Sequence, residues 1–274
     1  MWPETHHLVG LDFTLYDVMR GVAIVLSALL CMLLNRRQGI PVRVTLAIAV
    51  ACAPIGIASA RVLNCIEFGA TWHDIGMAYS SNPGSSVYGA LIGAIIAATG
   101  MTHLLGIPTL KFIDAAAAPF ALGEALSRIG CFCAGCCYGI PWHGLWAVIF
   151  PDDSFAAIDQ RNRGLIDSSA SHPLPVHPVQ LYSALLMLLL TWGLVRRFGR
   201  PHHPGVVFFW LLIGYGAYRL AIAPFRMEAL SSMKTFSLLF IAAGLAGLIY
   251  VQRERVPVDV DSRGAGAEAD ARHG

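Results

Sequence analysis

The sequence predicts an all-α, polytopic integral membrane protein of about seven transmembrane helices, N-terminus outside and C-terminus cytoplasmic, with a small outer subdomain. Three observations carry this. Of the 274 residues, 56% are hydrophobic and only 13% are charged, whereas a soluble domain carries about 25% charged residues; the mean hydropathy is +0.60. Seven runs approach the ~20 apolar residues that a membrane crossing needs. Lysines and arginines collect in alternate connections, the bias that orients a membrane chain. The same arithmetic excludes an ordinary cytosolic enzyme, a secreted disulfide scaffold and a disordered chain. A balance of 19 basic against 17 acidic side chains, +2 in all, leaves no nucleic-acid footprint.

The first run, Tyr16–Leu34, follows MWPETHH, an acidic start without the basic residues of a cleaved signal peptide. Val44–Cys65 and Ser86–Leu105 come next, and then Phe112–Ile129, which is short and flanked by glycines. Val179–Val195, Val206–Ala223 and Thr235–Val251 complete the set. Arg36, Arg37 and Arg43 follow the first run, Lys111 the third, Arg196, Arg197 and Arg200 the fifth, and Arg253 and Arg255 the seventh. The other side holds Glu4, Asp12, Glu67, Asp74, Asp152, Asp153, Asp159 and Asp167, together with Arg161 and Arg163. Residues 1–252 therefore read as one membrane domain. Its connection at about 130–178 is too polar to cross and long enough to carry function. Residues 253–274, small and polar, read as a disordered cytoplasmic tail.

The informative residues are charges at the ends of apolar runs, where each costs several kcal/mol unless it meets a partner or a wet cavity. Arg61, Arg128, Arg219 and Arg226 all fall towards the outer ends of their helices. Singly, each can snorkel to the headgroups. Together they form a site for a phosphate, whose oxygens match guanidinium forks, and at this depth the phosphate is a phospholipid's. Tyr16, Tyr88, Gly89, Tyr215, His177, Gln180, Tyr182, Glu67 and Asp114 stand nearby in the pattern, and Tyr215 shares a helix face with Arg219 four residues on. Against this, a tyrosine near a span end is more often an interfacial anchor. Glycines can serve helix packing alone. His6, His73, His103 and His143 read as surface residues.

Four of seven cysteines fall in CFCAGCC: Cys131, Cys133, Cys136 and Cys137. Packing, a redox or metal role, and a part in a substrate site all remain open for them. With no second CxxC and no spaced histidines, a structural zinc finger is weakly supported.

Here the residues resemble a family. LGEALSRIGCFCAGCCYG is similar to the GRxGNFxNGExxG signature of prolipoprotein diacylglyceryl transferases. HPVQLYSALL resembles that family's HPxQLYE segment, and YGAYRLAIAPFR its YGxxRFxxEFFR segment. SSVYGALIG, ARVLNCIEF and LYDVMRG resemble three further family segments, in the family's order from about Tyr16 to Arg226. The resemblance implies seven spans in a bacterial inner membrane, a periplasmic outer side, and the first step of lipoprotein maturation. That step moves a diacylglyceryl group from phosphatidylglycerol to the lipobox cysteine in a preprolipoprotein signal-peptide region, forming a thioether and releasing glycerol phosphate. On the family pattern Arg128 and Arg219 match its arginines, Tyr16 and Tyr215 its tyrosines, and Gly139 the closing glycine of its signature. With the charge pattern above, the expected headgroup site is Arg128, Arg219, Arg61, Arg226, Tyr16, Gly89 and Gly139, the catalytic candidates are Arg128, Arg219, Tyr88, Tyr215 and His177, and neither cofactor nor metal is expected. The chain departs from the pattern. Tyr88 stands at the family's histidine, Cys131 and Cys136 replace its signature asparagine and glutamate, Ser127 its glycine and Ala223 a glutamate. A related enzyme with another acceptor, and a membrane thiol or metal protein built on CFCAGCC, are the alternative readings.

Overall fold

The computed structural model describes residues 6–8, 11–67, 86–167, 172–227 and 231–253. A short antiparallel pair, β1 (His6–Leu8) and β2 (Leu11–Phe13), precedes the bundle. The helices are α1 (Leu15–Arg37), α2 (Val42–Glu67), α3 (Val87–Leu104), α4 (Thr109–Ala134), the short α5 (Phe155–Asn162), α6 (Val179–Phe198), α7 (Val206–Ile222) and α8 (Ser231–Arg253). A 3-10 turn, Ala223–Phe225, closes α7. Glu4 and Asp74, expected on the outer side, and the expected tail from residue 254 on lie outside the described residues.

Among the described residues six helices are long and apolar enough to cross a membrane: α1, α2, α3, α6, α7 with its 3-10 turn, and α8. Their outer faces expose large apolar side chains such as Ile24, Val50, Leu189 and Leu239, a surface that suits lipid and not water. The remaining long helix, α4, carries Lys111, Asp114, Glu124 and Arg128. It sits at the centre, packed on α1, α3, α6 and α7. Ala115, Ala117, Ala118, Ala121 and Ala125 are almost wholly buried along it; small side chains let neighbouring backbones approach. The sequence reading ended this helix at Ile129. It continues instead through Gly130, Cys131 and Cys133 and stops at Gly135, whose φ of +68° caps it. Gly130 stays helical because it sits tightly against Tyr16 and Met19 of α1. The outer connection therefore begins at residue 135.

Side-chain caps fix some of the helix starts. Thr14 and Asp17 form a capping box at the start of α1, and Arg36 and Arg37 meet its C-terminal dipole. Asp114 accepts from the backbone N–H groups of Gly205 and Phe208, both at 2.7 Å, capping α7 from another helix. At that end of the bundle Arg37, Lys111, Arg200 and His202 line one cavity, as the basic connections of the sequence lead one to expect. At the opposite end the outer connection has its own core of Tyr138, Phe150, Ala156 and Val176. It is tied to the bundle by backbone pairing of Gly139 with Arg226.

Candidate active site

The site forms where the C-terminal ends of α4 and α7 meet the first turn of α3 and the outer connection. Arg128 on α4 donates from Nε at 2.9 Å and from Nη2 at 2.6 Å to Glu124 Oε1, one turn earlier. Both side chains are buried. The spacing of four residues made this pair visible in the sequence, yet Glu124 was not singled out. Arg219 on α7 donates from Nε to the Tyr88 hydroxyl at 3.0 Å, and its guanidinium carbon stands 5.1 Å from the Tyr88 ring centre.

The Tyr88 hydroxyl is fully engaged. Besides accepting from Arg219, it reaches Ser237 Oγ at 3.1 Å and the Met233 carbonyl at 3.2 Å on α8. Ser237 itself donates to Met233, leaving the Tyr88 proton directed into α8. Tyr215 and Tyr218 are buried beside Arg219, and among the described residues their hydroxyls have no hydrogen-bond partner.

Arg226 completes the cationic set. It lies close enough to Arg219 and Arg128 to feel both charges; burial first, and then those two cations, lower its proton affinity. Glu67 acts on Arg219 from the end of α2, while Arg61 is half-buried six residues earlier on the same helix. The structure thus brings Arg128, Arg219, Arg226, Tyr215 and Tyr88 together, with Tyr218 added.

Other candidates stand elsewhere. His177 lies in an aromatic cage: its ring stacks on Trp142 at 4.6 Å and packs against Phe225 and Tyr182. Its Nδ1 sits 3.2 Å from the Tyr182 hydroxyl, and burial lowers its proton affinity. Gly89 is a packing glycine, since a Cβ there would meet the Ser59 carbonyl, Leu63 and Ala60 of α2. At Gly139 a Cβ would lie 2.5 Å from the Phe225 carbonyl and 2.7 Å from His177 Cβ. Space at both positions is taken by protein.

Tyr16, at the start of α1, faces the cysteines. It lines a cavity of about 340 Å³ with Thr14, Leu15, Cys133, Ala134, Cys136 and Phe155. The sulfur atoms of Cys131, Cys136 and Cys137 all lie within 4.8 Å of one another. Hydrogen bonds from the Cys131 and Cys136 thiols, then the Arg128 and Arg226 charges, hold the Cys137 thiol well below the usual thiol range. The same hydrogen bonding pushes Cys136 up.

Comparison with known proteins agrees with the motif reading. Residues 3–250 match the family model described as prolipoprotein diacylglyceryl transferase. Curated relatives named phosphatidylglycerol–prolipoprotein diacylglyceryl transferase include one from Dehalococcoides mccartyi, 27% identical over 89% of this chain and 91% of its own length. One from Synechococcus elongatus is 29% identical over 91% of this chain and 87% of its own length. Another, from Clostridium tetani, is 30% identical over 59% of this chain and 62% of its own length.

Proposed function

The chain belongs to the prolipoprotein diacylglyceryl transferase family, and on that premise we propose that it transfers a diacylglyceryl group from phosphatidylglycerol to the lipobox cysteine of preprolipoproteins. The observation that carries this reading is the buried pair Arg128 and Arg219, set beside the hydroxyls of Tyr215 and Tyr218, which have no partner among the described residues. Buried cations are expensive at membrane depth, and buried hydroxyls without partners are costly too. A phosphodiester adds negative charge where three arginines gather, Arg128 being already paired with Glu124, and brings acceptor oxygens to the two hydroxyls.

In this reading Arg128, Arg219 and Arg226 hold the headgroup phosphate. The acceptor thiolate attacks the glycerol carbon that bears the phosphate ester. A carbon–sulfur bond forms, the carbon–oxygen bond breaks, and its electron pair leaves on glycerol phosphate. The arginines stabilise that growing charge, the interaction that accelerates the step. Glu124 keeps Arg128 charged and aimed. Tyr88 aims Arg219 through its accepting hydroxyl and is a positioning residue, because its own proton is spent on α8. We place α4 as the seventh span and the arginine end on the periplasmic side of the inner membrane.

The test is purified full-length chain in phosphatidylglycerol vesicles with a lipobox peptide, followed by peptide mass. A diacylglyceryl mass increase that disappears with Arg128→Ala and with Arg219→Ala, both normally inserted, is expected. No mass change by the inserted wild-type protein, or near-normal turnover in either variant, overturns the assignment.

A further inference from the structure

The proposed transfer needs a thiolate, since the thiol itself is a poor nucleophile. Neither Tyr88 nor His177, the two candidates the sequence offered for the base, is free to act as that base. Tyr88 is committed to Arg219 and α8. His177 is caged by Trp142, Tyr182 and Phe225. Three cysteines gather instead beside Arg128.

Their convergence is built by the backbone. Cys131 lies in the last turn of α4, and Gly135 turns the chain out of the helix in the left-handed region. Cys137 then adopts a φ of +57°, the only positive value at a non-glycine residue among those described. Left-handed backbone at such a residue is strained and tends to persist where a function requires it. Consecutive side chains in extended backbone point apart; the turn lets Cys136 and Cys137 both face Cys131, so that all three sulfurs fall within 4.8 Å. Gln180 of α6 holds the turn by donating to the Cys136 carbonyl at 2.8 Å. Cys133, the other half of the apparent CxxC, takes no part.

We propose that Cys131, Cys136 and Cys137 bind one zinc ion as thiolates and offer its fourth position to the acceptor's cysteine thiol. The inference rests on the diacylglyceryl-transfer reading. Zinc–sulfur bonds of about 2.3 Å in a tetrahedron put the sulfurs about 3.8 Å apart, a short closure from the spacing seen. Three protein ligands and one open position are the arrangement of a catalytic zinc site. Three thiolates suit a soft ion, whereas a disulfide would use two sulfurs and strand the third. All seven cysteines are unbridged. Arg128 and Arg226, which act on Cys137, offset the net negative charge of the loaded site. The cavity that Cys136 shares with Tyr16 and Phe155 gives the acceptor segment room to reach it.

A thiol bound to zinc gives up its proton, here to water. The sulfur electron pair then forms the carbon–sulfur bond, the phosphate oxygen leaves with the carbon–oxygen pair, and the metal keeps its oxidation state. The thioether product carries no charge, binds the ion weakly and departs. The three thiols would thus supply what the tyrosine at the family's histidine position cannot.

Metal analysis of the full-length protein purified with zinc should find one ion per chain. That content should fall at least tenfold in Cys136→Ser and Cys137→Ser and stay unchanged in Cys52→Ser. In the wild-type protein, zinc should protect three thiols from alkylation, a readout independent of any variant's folding. With cobalt(II) in place of zinc, the sulfur-to-metal absorption should change on adding a lipobox peptide and not its Cys→Ser form. Absence of bound zinc, or three thiols alkylated equally with and without it, overturns the site. Undiminished transfer by metal-free protein overturns the activating role while leaving the transferase reading intact. A cobalt spectrum that answers the peptide thiol without any transfer supports the site and counts against the transferase reading.

Discussion

Arg219 donates from Nε to the hydroxyl of Tyr88, 131 positions away in the chain, at 3.0 Å. The hydrogen bond joins α7 to α3, while the Tyr88 ring stacks on Phe236 and meets Tyr215 edge-on. Tyr88→Phe removes the hydroxyl and keeps that packing. A hydrogen bond to a charged group contributes about 1.5–3 kcal/mol, so turnover should fall by about ten- to a hundredfold with membrane insertion intact. The shape of the pH–rate profile should not change. A profile that loses its basic limb would instead make Tyr88 an acid–base group.

Glu124 and Arg128 form a buried ion pair within one helix. Removing one partner of such a pair leaves an uncompensated charge and costs about 3–5 kcal/mol. Glu124→Ala should lower the thermal unfolding midpoint in detergent by several degrees and abolish turnover, because Arg128 loses its anchor. Glu124→Gln keeps one acceptor and should fall between wild type and Glu124→Ala in both measurements. Equal midpoints for all three proteins would show that the pair holds nothing in place.

The spans were legible because a run of about twenty apolar residues is a local signal. Arg128 and Arg219 were legible for the complementary reason, as charges where the membrane makes charge costly. The end of α4 was misread because Gly130 looks like a terminator, and its reason for staying helical, contact with Tyr16, lies more than a hundred residues away. The bond from Tyr88 to Arg219 left no trace in spacing, nor did the cage that withdraws His177. Four cysteines within seven positions were obvious; that Cys131, Cys136 and Cys137 converge and Cys133 does not depends on a left-handed residue no pattern announces.

Gly139 couples the outer connection to the arginines. Its N–H donates to the His177 carbonyl at 3.0 Å, and next to it Ile140 donates to Phe225 at 2.9 Å, beside Arg226. A Cβ at Gly139 would press on the Phe225 carbonyl, which is backbone and cannot swing aside. Gly139→Ala should cost about 1–3 kcal/mol of stability and reduce turnover more than the midpoint shift explains, because Arg226 moves with the strand. Gly100→Ala, where nothing lies within 4 Å, is the matched control. In that helix interior it should be neutral or stabilising by up to about 1 kcal/mol. Equal effects of the two changes would contradict the role given to Gly139.

His177 should make stability depend on acid. Burial against Trp142 and Phe225 disfavours its charged form, so its folded-state proton affinity lies below the usual imidazole value. An unfolded chain binds that proton near pH 6.5; the folded chain binds it only at lower pH. In the window between, the unfolded state holds more protons, and stability rises with pH. Above about pH 6.5 both states are neutral at this position and the penalty vanishes. The detergent unfolding midpoint of the wild-type protein should therefore drop as pH falls below that value. His177→Phe keeps an aromatic ring in the cage, so its midpoint should drop less. Parallel curves for the two proteins would show that His177 is charged as readily in the fold as in water, and the cage would then not be what sets its chemistry.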